Sequence, residues 1–118
     1  MATFTKQLLS GSTNGKAIKV SGTTSGSSVT VHTAVTGTSS IDEVWLYAHN
    51  TSSTAVKLTV EWGETTAPDG NIEVNIGAEG TGMILVSPGI PLNNSLVIKA
   101  FAGTANVINL FGYVNRIA

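Results

Sequence analysis

Two histidines, His32 and His49, are the side chains of this 118-residue chain suited to holding a metal ion or moving a proton near neutral pH. His32 stands in "VTVHTAV" and His49 follows "EVWLYA", both within alternating apolar runs. A metal enzyme on a small β-fold needs a His-x-His pair with a carboxylate close by, and neither histidine has such neighbours. Both therefore read as strand residues hydrogen-bonded at a surface or interface. Serine occurs 12 times, but no G-x-S-x-G turn marks one as a nucleophile. Asp42, Glu43, Glu61, Glu64 and Asp69 fall near one end of an expected hairpin. Like charges facing across strands destabilise unless a Ca²⁺ ion or a basic partner offsets them. No loop of calcium-binding spacing holds these carboxylates, so they are expected to splay into water. "GAEGTG", Gly77 to Gly82, lacks the Lys-Ser/Thr ending and the following helix of a phosphate loop, and reads as a tight turn. Cysteine is absent, which removes disulfides and thiolate metal sites. The expectation is no catalytic residue, no cofactor and no metal.

Composition turns attention from pockets to surfaces. Charged residues are 11% of the chain against a typical ~25%, while threonine occurs 16 times. Hydrophobic residues, at 42%, suffice for one folded domain. A surface of Thr, Ser, Asn and Gly with few charges is poorly defended against association, and suits a protein packed against neighbours. The net charge is −1, and Lys6, Lys16, Lys19, Lys57, Lys99 and Arg116 form no stripe, which argues against nucleic acid. No run reaches the ~20 apolar residues of a membrane-spanning helix. No apolar stretch after Lys6 reads as a secretory signal, so production in a cytoplasm is expected.

The elements that position these groups follow a period of two, broken by turn residues such as "SGTTSGSS", "NTSST" and "SPGIPLNN". Strands are predicted at 17–21, 28–35, 43–50, 55–63, 71–77, 81–87, 95–102 and 107–117. This is an all-β chain: a single-domain antiparallel β-sandwich of about eight strands, jelly-roll-like, with an immunoglobulin-like sandwich as the rival. Residues 1–16 read as a short N-terminal arm, or an edge strand, ahead of a sandwich domain over 17–118. With "NTSST" as a hairpin loop, Val44 is expected opposite Val60, Leu46 opposite Leu58 and Trp45 opposite Thr59.

One strand has two apolar faces. In "EVWLYAHN", Val44, Leu46 and Ala48 make a core face, leaving Trp45, Tyr47 and His49 on the other side. The last strand, "NVINLFGYVNRIA", repeats the anomaly with Phe111 and Tyr113. A sheet in a sandwich has one inner face, so these aromatics need a cover. Phe4, Leu8 and Leu9 of the arm are candidates to supply it, and a sister subunit is the alternative. The candidate protein-interface residues are Phe4, Leu8, Leu9, Trp45, Tyr47, His49, Phe111 and Tyr113. A closed homo-oligomer, a trimer above all, would bury such a pair at every interface.

The Ser/Thr/Gly-rich, cysteine-free composition, "EVWLYAHN" and the terminal "FGYVNRI" resemble the small head decoration (cement) proteins of tailed bacteriophages. The resemblance implies a non-enzymatic virion protein on the capsid exterior, assembled in the host cytoplasm. Its partner would be the major capsid protein, whose subunits it would clamp together, with the arm reaching the lattice. A tail, neck or fibre component is the alternative. A carbohydrate-binding module is the other, although Trp62 is expected on the core side and so outside a Trp45–Tyr47 sugar platform.

Overall fold

A computed structural model describes residues 2–118; Met1, the first residue of the expected arm, lies outside the described residues. The alternating runs form nine strands among the described residues: β1 (Phe4–Leu8), β2 (Ile18–Lys19), β3 (Val29–Thr33), β4 (Ile41–Asn50), β5 (Val56–Trp62), β6 (Asn71–Ile76), β7 (Ile84–Leu92), β8 (Val97–Ala102) and β9 (Ile108–Ile117). They divide into two antiparallel sheets. The first has the order β1-β9-β4-β7, with β2 also on β9, and the second has the order β3-β8-β5-β6. Each expected strand is present within a few residues. The lead adds the ninth, since Phe4 pairs with Ile117 and Leu8 with Tyr113.

The expected hairpin of β4 and β5 does not form. β4 pairs with β7 and β9, whereas β5 pairs with β6 and β8, so "NTSST" carries the chain from one sheet to the other. Val44 therefore sits beside Ile90 and Val114, and Trp45 beside Pro88 and Tyr113, rather than beside β5. The reason is that alternation fixes which face is buried but not which strand lies alongside. Leu46 and Leu58 are both fully buried, as the hairpin required, but they meet across the core.

Asn50 holds the crossing in place. Its side-chain Nδ2 donates to the carbonyls of Thr54 (2.7 Å) and Ile76 (3.1 Å). Its Oδ1 accepts from the Ser52 backbone N–H (2.9 Å) and hydroxyl (2.7 Å). A buried amide with every contact satisfied fixes a loop more firmly than its exposed polar residues would.

β7 also runs further than expected, through "SPGIPL" to Leu92. Pro88 and Pro91 break strands that need their N–H groups, but β7 lies at the sheet edge, where a proline is tolerated. Two register shifts against β4 take up the irregularity, and Gly89 adopts φ +76° at one of them. The core between the sheets is aliphatic, built on Val44, Leu46, Leu58, Val60, Ile98, Ile108 and Leu110.

Candidate functional site

The outer face of the first sheet gathers every candidate interface residue except Leu9. Register places them in cross-strand rows: Leu8, Tyr113, Trp45 and Pro88 in one, Phe111, Tyr47 and Leu85 in the next. Asn109 and His49 follow below, with Lys19 at the β2 end of that row. Above lie Lys6, Asn115, Glu43 and Pro91, then Phe4, Ile117 and Ile41. Directly opposed residues share a face, so the whole set points away from the core. Trp45 and Tyr113 are nearly parallel, with ring centroids 6.3 Å apart and planes at 13°. The Lys6 ammonium lies over the Tyr113 ring at 4.6 Å. The indole of Trp45 rests on Gly89, where an added Cβ would come within 3.1 Å of the ring.

The arm does not close over these rings, which are half-buried, with Trp45 Nε1 buried and without a hydrogen-bond partner among the described residues. Phe4 and Leu8 extend the face sideways instead of closing it, and they are 70% and 53% exposed. Leu85 continues the apolar surface on β7 at 47% exposure, and Met83, just before the strand, is 53% exposed. Leu9 is corrected: it turns inward, 1% exposed, and belongs to the core. Simple alternation puts it there: Gln7 pairs with the buried Val114, Leu8 with the outward Tyr113, and Leu9 falls on the core side again. His49 stays on the face, with Nε2 donating to the Glu79 carbonyl at 3.2 Å.

A second group of polar residues was not legible as a group. His32 is 1% exposed, not at a surface, because β3 has a bulge between Thr30 and His32. The extra residue turns both Val31 and His32 inward, where strict alternation would separate them. Nδ1 of His32 accepts from the Ser10 backbone N–H at 3.0 Å, leaving Nε2–H to donate to Asp42 Oδ2 at 2.8 Å. Asp42 is fully buried and takes three further bonds: from the Val35 N–H (3.1 Å), and from Arg116 Nε (2.8 Å) and Nη2 (3.0 Å). Burial alone would raise the Asp42 carboxyl pKa, but the hydrogen bonds from Arg116 and His32 hold it below the ordinary carboxylate value. The same contact raises the Arg116 pKa.

Glu61 also departs from the expectation of water. It is 2% exposed on the outer face of the second sheet, where Ser25 donates to Oε2 at 2.5 Å. Asp42 and Glu61 are thus taken up by separate partners, while Glu64 and Asp69 remain exposed in the β5–β6 loop. Among the described residues, no three His, Asp or Glu side chains are grouped to hold a metal ion.

The two sites differ in what they can do. The His32–Asp42–Arg116 cluster is closed to solvent on the Asp42 side and ties β3, β4 and β9 together. The outer face is broad, with half-buried rings at its centre and exposed Phe4, Leu8 and Leu85 at its rim, and what it can do is exclude water against another surface. Compared with known proteins, the chain matches no family model, no curated protein and no solved structure.

Proposed function

We propose that this chain is a non-enzymatic virion protein that decorates the outside of a tailed-phage head and stabilises contacts between major capsid subunits. The observation that carries this reading is the outward-facing aromatic cluster with its exposed apolar rim on β1, β9, β4 and β7. A contiguous apolar surface of this kind marks a protein–protein contact more often than a site of chemistry. Few charges and many threonines fit a protein that spends its working life packed in an assembly.

The strand orders support a jelly roll, an architecture common in capsid proteins. Counted as one interrupted strand on β9, β1 and β2 leave eight strands in all. First then pairs with eighth, second with seventh, third with sixth and fourth with fifth. That nesting is what results when one long antiparallel ribbon is rolled up.

The test is cosedimentation of the purified chain with heads assembled from the major capsid protein of the same genome. Saturable binding, with heads more resistant to heat or denaturant once decorated, is the expected result. Binding to tails or fibres alone would move the protein to the alternative location. A flat sugar-binding platform is the second reading, favoured by the near-parallel rings of Trp45 and Tyr113. Lys6 lies over one of those rings, and retention on insoluble polysaccharide is the measurement that would restore this reading.

A further inference from the structure

The geometry points to a second copy of this chain as the occupant of the aromatic face, packed face to face about a two-fold axis. The inference concerns the same face that supports the capsid reading, but it rests on how charge and size are distributed over it.

Charge is divided across it. Lys6 and Lys19 lie on the β1–β2 side, while Glu43 lies on β4, and Glu79 begins the turn that meets His49. None of these four has an ion-pair partner among the described residues, where the charged pairs are His32–Asp42, Lys57–Glu73 and Arg116–Asp42. A two-fold axis in the interface, parallel to the strands and between β9 and β4, lays β9 over β4 of the second copy and β1 over β7. Row by row, Tyr113 then meets Trp45 of the other chain, and Phe111 meets its Tyr47. Lys6 comes down beside Glu43 and Pro91 of the second copy, and Lys19 beside its Glu79 end. Both lysines meet acids, twice each by symmetry, and no like charges are opposed. The overlay keeps the strand directions of the two sheets aligned, the class of sheet packing in which they stay within about 30° of each other.

The size is also right. Four strands spaced about 4.8 Å apart give a width near 19 Å, and the 10 residues of β9 give a length near 34 Å at about 3.4 Å each. Because β1 and β2 together supply only seven residues of that length and β7 nine, the flat footprint is ~600 Å², and the relief of aromatic side chains carries it toward the ~800 Å² per partner of a standard stable interface. A three-fold ring would need this patch to meet a different patch on its neighbour. The face carries both complementary halves itself, which is the signature of an isologous contact.

The test is light scattering and sedimentation equilibrium of the full chain at ~100 μM, a concentration at which a dimer of micromolar Kd is mostly formed. The expected mass is twice 12.1 kDa. Leu85→Lys, at an exposed edge position, should give a monomer whose circular dichroism and melting stay those of a folded chain. Lys6→Glu and Glu43→Lys should each weaken pairing about tenfold, since each change acts at two symmetric contacts. The double variant should recover pairing. A monomeric parent chain, a mass of three chains, or single reversals that leave pairing unchanged would each overturn the proposal. Dimers that fail to bind heads would instead count only against capsid decoration.

Discussion

Asp42 is the residue whose surroundings have the clearest consequence for stability. Its folded pKa is depressed by Arg116 and His32, so the stability it contributes is present above the unfolded carboxylate pKa. It is lost as pH falls from about 4 through the lower folded value. The melting temperature should therefore drop over that acid range, and Asp42→Asn should flatten the part of the drop that belongs to this site. Asp42→Ala leaves Arg116 and His32 without their acceptor and should cost about 3–5 kcal/mol in urea unfolding at neutral pH. The tautomer of His32 gives an independent check. Because Nδ1 accepts from Ser10, imidazole ¹⁵N shifts near neutrality should report a proton on Nε2. None of this was legible in the sequence. His32, Asp42 and Arg116 come from three strands, and the bulge that turns His32 inward leaves no trace in the alternation of "VTVHTAV".

Elements were far easier to read than their neighbours. The period-two runs located the strands because each buries one face, and a slip of one residue would expose it. The same runs were silent on pairing, so β4 and β5 read as a hairpin although they belong to opposite sheets. What decides between hairpin and crossing is Asn50, a polar residue whose value appears only when its four hydrogen bonds are seen together. Asn50→Ala should cost about 2–4 kcal/mol, because it strands the buried Ile76 carbonyl as well as removing the loop contacts. The aromatic face was legible for the opposite reason. Trp45, Tyr47, Phe111 and Tyr113 are large apolar residues on the side of two strands that a sandwich turns away from its core, whichever strands pair. Gly112 marks how closely those strands approach: a Cβ there would overlap the Trp45 carbonyl oxygen. Gly112→Ala should cost more than about 3 kcal/mol, or abolish folding, as read by thermal melting.

At the scale of the whole molecule, the two ends of the described chain meet. The Thr3 N–H donates to the Ala118 carbonyl at 2.7 Å, and the Ala118 N–H returns the bond at 2.9 Å. The lead that reads as an arm for reaching a capsid is thus held as an edge strand, and its two largest apolar side chains are spent on the aromatic face. If the chain decorates a head as proposed, this separates two ways of binding it. Either β1 must peel from β9 to reach the lattice, or the folded body docks with β1 in place. A circular permutant decides between them by joining Ala118 to Thr3 through a short glycine linker and opening the chain in the exposed loop at Thr65–Thr66. Loops of this kind tolerate new ends, and the joined residues are already hydrogen-bonded, so the permutant should fold with a melting temperature close to that of the parent. It should also keep its self-association, since no residue of the aromatic face has moved. If head binding survives, the body makes the contact and β1 serves the sheet. Loss of head binding by a folded, paired permutant would show that the particle captures a free N-terminal strand, at the expense of the edge of the very face proposed to join the copies.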